Sequence, residues 1–111
     1  VTALPEAVAL PTRYVVSCLP EGHDDRHTFT INVHYRGDGQ YGIKHLLRYY
    51  ATDGTWSYDL GREEAEEVEA DWRTKHLYDL DTALCLAKQL AQGMSYRGRT
   101  VADVLAEGRH G

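Results

Sequence analysis

The chain is poor in the features that usually point to a specific chemistry. It has two cysteines in 111 residues. One disulfide is arithmetically allowed, but Cys18 and Cys85 stand far apart and form no framework, so a reduced, cytoplasmic protein is expected. No apolar run approaches the roughly 20 residues that a membrane-spanning helix requires. Residues 1–10 carry Pro5 and Glu6 and lack a basic start, unlike a signal peptide. Basic excess is missing as well. With 12 Lys and Arg against 17 Asp and Glu, the formal net charge is -5. That excludes a protein whose whole surface binds nucleic acid and leaves room only for a local basic patch. The six histidines show neither the HExxH nor the Cys–His zinc spacing. No helix follows Gly37, Asp38, Gly39 and Gly42, so they are turn residues rather than a phosphate loop.

What is present reads as one α+β domain, residues 12–111, behind a tail of residues 1–11. Hydrophobic content of 42% with 26% charged residues is that of an ordinary globular chain, not a disordered one. Residues 12–19 are β-branched and aromatic and predict a strand apolar on both faces, ended by Pro20. A polar loop follows. Residues 27–35 alternate cleanly: Phe29, Ile31, Val33 and Tyr35 against Thr28, Thr30, Asn32 and His34, the pattern of a half-buried strand. After the glycine turn, residues 41–51 predict a second long strand. Only an even-sum register puts Ile43 on the same face as Ile31 and Val33, and this implies a hairpin loop of three or five residues.

Asp53-Gly54 predicts a type I′ hairpin. That turn would pair Ala51 with Trp56 and Tyr49 with Tyr58. The expected core face is therefore Phe29, Ile31, Val33, Ile43, Leu47, Tyr49, Trp56, Tyr58 and Leu60. The C-terminal half predicts helices. Residues 63–72 carry a thin stripe of Ala65, Val68 and Trp72. Asp81 is the expected N-cap of a core helix, residues 82–92, with Ala83, Leu84, Leu86, Ala87, Leu90, Ala91 and Met94 on one arc. Gly93 is expected to end it. Thr100 and Asp103 predict a capping box for a short helix, residues 101–107, closed by Gly108. The fold class expected is a three- to four-stranded antiparallel sheet with two or three C-terminal helices packed on one face.

The polar face of that sheet is the candidate binding surface. His34, Lys44, Arg48 and Tyr50 would combine positive charge with aromatic area on it. Such a surface suits a protein partner, or single-stranded nucleic acid stacked on the sheet. His45 falls on the core face and is expected to be a hydrogen-bonded core histidine. The cluster His23, Asp24, Asp25 and His27 has metal-ligand chemistry and raises a metal-dependent hydrolase as a further alternative, but it has no ligand spacing and reads as a solvated loop. Cys18 is expected to be a small buried side chain, and Cys85 an accessible thiol without activation. The acidic run 63–69 reads as a solvated helix face that could also contact a partner. No catalytic residue, metal site or cofactor is assigned.

The segments HYRGDGQYGIKH, DGTWSYD, YDLDTALCLAKQL and GRTVADVL resemble a group of small proteins of unassigned activity from actinobacteria and their phages, over residues 27–105. The resemblance implies a cytosolic accessory or mobile-element protein and transfers no catalytic residue. The acidic stretch departs from the group, which is more loop-like there. The expected function is thus a small non-enzymatic interaction module. A homodimer through an open sheet edge is compatible with it.

Overall fold

The computed structural model describes residues 3–59 and 66–107. Residues 3–12 form no regular element and are exposed throughout. Strand β1 (Arg13–Val16) pairs antiparallel with β2 (Ile31–Tyr35), and β2 with β3 (Tyr41–His45). The sheet continues as a meander through β4 (Arg48–Tyr50) and β5 (Trp56–Tyr58), in the order β1-β2-β3-β4-β5. A two-residue strand, β6 (Leu77–Tyr78), pairs with the start of β3 beside β4. The sheet is thus larger than the three or four strands expected. β1 is an edge strand with Arg13 and Val15 exposed, not one buried on both faces.

The even-sum register between β2 and β3 is present: Val33 faces Ile43 and Tyr35 faces Tyr41. Arg36 N–H donates to the Gln40 carbonyl at 2.8 Å, which closes the loop to three residues. Two other turns differ from expectation. The run 41–51 is not one strand, because Leu46 and Leu47 form a tight turn and His45 pairs with Arg48. Leu46 has φ +55°, as the first central position of a type II′ turn requires. Nothing in the composition marks two leucines as a turn, and Leu47 is 70% exposed rather than in the core. At Asp53-Gly54 only Gly54 has positive φ. Gly54 N–H donates to the Ala51 carbonyl and Ala51 N–H to the Thr55 carbonyl, a three-residue loop in place of the two-residue type I′. Asp53 stabilises it by accepting from Thr55 N at 3.0 Å and Thr55 Oγ1 at 2.6 Å.

These changes compensate in part. The first inverts the facing of β4, and the second shifts the next pairing so that Tyr50 opposes Trp56. Trp56 and Tyr58 therefore lie on the expected face, while Tyr49 and Tyr50 exchange faces. Leu60 falls outside the described residues.

Three helices complete the domain: α1 (Glu66–His76), α2 (Leu80–Gln92) and α3 (Val101–Glu107). Asp79, not Asp81, caps α2, accepting from Thr82 N at 2.8 Å and Thr82 Oγ1 at 2.9 Å. Its buried Ala83, Ala87 and Ala91 seat the helix closely on Ile31, Val33, Tyr41 and Ile43, and Gly93 is its C-cap. Burying this apolar face contributes roughly 25 cal/mol per Å² removed from water. The capping box is present: Thr100 N–H donates to Asp103 Oδ2 at 2.9 Å and Asp103 N–H to Thr100 Oγ1 at 3.1 Å. Gly108 lies outside the described residues.

The link before α3 is a small hairpin of β7 (Ser95–Tyr96) and β8 (Arg99–Thr100). Arg97 and Gly98 both have positive φ, so the type I′ turn is here. α3 builds a second core with Val101 and Val104 against Leu19 and Phe29. Phe29 precedes β2, and its N–H donates to the Asp25 and Arg26 carbonyls, so it serves the α3 core rather than the sheet face.

The helices do not share one face of the sheet. α2 covers the face of Ile31, Val33 and Ile43. α1 lies on the opposite face, where Trp72 packs edge-on to Tyr49 with ring centroids 5.2 Å apart. Of the expected stripe in this helix Trp72 is buried, Val68 is exposed and Ala65 falls outside the described residues. Buried His76, four positions beyond Trp72, completes the packing surface. Among the described residues no helix is long and apolar enough to cross a membrane.

Candidate functional site

The strand register places the candidate residues on two faces. One face holds the cross-strand row Val15, Asn32, Lys44, Tyr49 and Ser57, and beside it the row Arg13, His34, Gly42 and Leu77. α1 covers only the Tyr49 and Ser57 end. The β1–β2 end is open and basic. Here Arg13 Nε and Nη2 donate to Asn32 Oδ1 at 3.1 and 3.0 Å. That contact anchors the guanidinium to the neighbouring strand without neutralising it. Among the described residues no carboxylate lies within ion-pair distance of Arg13, Arg26 or Lys44. Arg13, Val15, Arg26, His27, Thr30 and Asn32 line a concavity of about 450 Å³. Burial, then the positive charges of Lys44, Arg13 and Arg36, push the His34 imidazole below its ordinary 6.5.

His34 and Lys44 therefore belong to one surface. Arg48 and Tyr50 do not: the Leu46-Leu47 turn sends them to the α2 face. There Tyr50 packs against the core, 5.1 Å from Trp56 by ring centroids. Arg48 lies over the Tyr58 ring at 5.1 Å. Together with Leu46 and Leu47, which are 53% and 70% exposed, they border a shallow concavity of about 310 Å³. His45 is satisfied as expected, its Nε2 lying 2.8 Å from the Thr28 carbonyl.

Between these ends, beneath α1, is a stack that sequence reading missed. The Arg36 guanidinium lies 5.2 Å from the Tyr49 ring centroid and 4.9 Å from that of Trp72. It also donates to Asp59 Oδ2 at 3.1 Å. The Trp72 and His76 rings stack at 4.6 Å. His76 Nδ1 lies 2.8 Å from the Trp72 carbonyl, and a carbonyl only accepts, so that nitrogen carries a proton. Nε2 lies 2.6 Å from Ser57 Oγ, within hydrogen-bond distance. Ser57, His76 and the Trp72 carbonyl have the order of a nucleophile, base and orienting group. Here, however, the base is buried under Trp72 and fastens α1 to β5. The spacing Trp72–His76 was the available signal, since the two share a helix face, but the expected helix ended at Trp72.

The His23–His27 loop is engaged in local structure. Asp25 N–H donates to His23 Nδ1 at 3.1 Å, and Asp25 pairs with Arg99 at 3.5 Å. Among the described residues no three His, Cys, Asp or Glu side chains are grouped to hold a metal ion. Both cysteines are free and exposed. Cys85 is accessible as expected, whereas Cys18 is not the buried side chain expected, because it follows the end of the edge strand. Comparison with family models, with curated proteins and with solved structures finds no match.

Proposed function

We propose that the chain is a small non-enzymatic interaction module that binds an acidic protein surface through the open β1–β2 end of the sheet. One observation carries this reading. A chain of net charge -5 concentrates Arg13, Arg26 and Lys44 on one face without a paired carboxylate among the described residues. Unneutralised cations beside a concavity favour a ligand that brings its own negative charge. Single-stranded nucleic acid is the less favoured ligand. Stacking needs aromatic rings beside the cations, and on this face Tyr49 is buried under Trp72 while Tyr50 faces the other way.

The test is fluorescence anisotropy with a labelled glutamate-rich peptide and a single-stranded oligonucleotide of equal charge, at low and moderate salt. The peptide is expected to bind, and Arg13→Glu with Lys44→Glu to weaken it about tenfold or more. Tighter binding of the oligonucleotide, or indifference of the peptide to both substitutions, overturns the reading.

A further inference from the structure

The open face meets an open edge. Tyr35 N–H donates to the Thr12 carbonyl at 2.8 Å, so Thr12 directs its backbone bonds toward β2. In an antiparallel ladder the bonded residues alternate. Tyr14 and Val16 therefore bond to β2 as well, and the backbone N–H and C=O groups of Arg13 and Val15 point away from the sheet. β1 stands first in the strand order, and among the described residues no strand lies beyond it. The tail before it, residues 3–12, is exposed throughout.

We infer that the partner is taken up as an extended acidic segment that adds to the sheet as a strand against β1. This rests on the proposed reading of the basic face as a protein-binding surface and specifies its mode. Two free backbone donors and two acceptors supply the ladder. An added strand sends alternate side chains to opposite faces. One set meets Arg13, Arg26 and His27 around the concavity and is acidic. The other meets the half-buried Tyr14 and Val16 on the α2 face and is apolar. Charge decides against a second copy of this chain as the occupant. A two-fold pairing of β1 with β1 would set the two basic faces side by side, with Arg13 and Arg26 of each against those of the other.

The structure also supplies a selective test. Val15→Pro removes a donor that faces solvent and leaves the bonds to β2 intact, since proline is compatible with an edge strand at such a position. The probe is a fluorescein-labelled eight-residue peptide alternating Glu and Val. It is compared with two versions N-methylated on one or the other alternate set of amides. Val15→Pro, checked for an unchanged fold by circular dichroism, is expected to weaken the parent peptide about tenfold. One N-methylated version is expected to lose binding and the other to keep it.

Equal binding of both N-methylated versions, with continued sensitivity to Arg13→Glu and Lys44→Glu, overturns strand addition and leaves the basic-face reading standing. Absence of peptide binding at any salt overturns both. If sedimentation finds the wild-type chain dimeric and the Val15→Pro chain monomeric, the occupant is a second copy and the inference fails.

Discussion

The two ends of the sheet left uncovered by helices differ in almost every respect. At the β1–β2 end the open surface is concave, basic and bordered by free backbone groups. At the β4–β5 end it is apolar and aromatic, with Leu46, Leu47 and Tyr58 outward and Tyr58 60% exposed. One sheet presents both because α1 and α2 cover different parts of opposite faces. The difference teaches that coverage, rather than strand composition, decides which alternate residues become a surface. Lys44 and Tyr49 are cross-strand neighbours on one face, yet Tyr49 is buried and Lys44 borders the open end.

The largest expected effect comes from removing the cover that separates the two ends. Trp72→Ala deletes the ring that packs on Tyr49, His76 and Arg36. It should cost about 3–5 kcal/mol in urea unfolding, which is enough to merge the basic end with the exposed Tyr49 surface. Next is Gly42→Ala. A Cβ there would sit 2.7 Å from the Tyr49 ring and 3.4 Å from Leu77. A loss of about 1–3 kcal/mol is expected, with the Tyr49–Trp72 contact displaced in the near-ultraviolet spectrum. Leu46→Gly acts in the opposite direction. It relieves a left-handed conformation that costs an ordinary residue about 1–2 kcal/mol, and the lost side chain is half exposed. A rise in stability of about 1 kcal/mol with unchanged binding of the acidic probe would confirm that the apolar end does not serve that ligand.

The smallest effect is that of His34. Its folded pKa is depressed, so as pH falls past 6.5 the unfolded chain takes up the proton first and the folded state loses stability. His34→Gln should remove that contribution from the stability–pH curve. Burial is the larger cause of that depression, and an acidic ligand would counter the part due to Lys44, Arg13 and Arg36, so its binding should take up a proton and raise the His34 resonance midpoint in an NMR titration.

Much of the sheet was legible in the sequence. Alternation from Ile31 to Tyr35 and the parity of Ile43 determined the central pairing, and the alanine and leucine arc of α2 identified its cover, whereas Phe29 left the predicted strand for the α3 core. The failures have local causes. Leu46-Leu47 turns without any turn-forming residue, because the pairing of β4 with both β3 and β5 offsets the cost of a left-handed leucine. Asp53-Gly54 carries the letters of a two-residue turn, but the Asp53 carboxylate bonds Thr55 and selects a longer loop. Of the site, His34 and Lys44 were placed together correctly because they lie before the unforeseen turn. Arg48 and Tyr50 were misplaced because they follow it. Arg13 and Arg26 were not singled out, since neither lies in the strand pair whose faces could be assigned. Their grouping depends on how β1 and the loop after it fold back.

One feature of the topology has a kinetic consequence. The outer margin of β3 is divided between two partners: Tyr41 and Gly42 pair with β6, Lys44 and His45 with β4. Of the ladder, detaching the β4–β5 hairpin from β3 breaks only that short pairing, together with the side-chain contacts of Tyr49 and Ser57 to α1, while β6 and β2 keep β3 clamped. Amide protons of β4 and β5 should exchange with solvent through such partial openings, at rates well above those of β2 and the start of β3. The basic end, anchored to the slow-exchanging strands, would keep its shape while the apolar end opens and recloses.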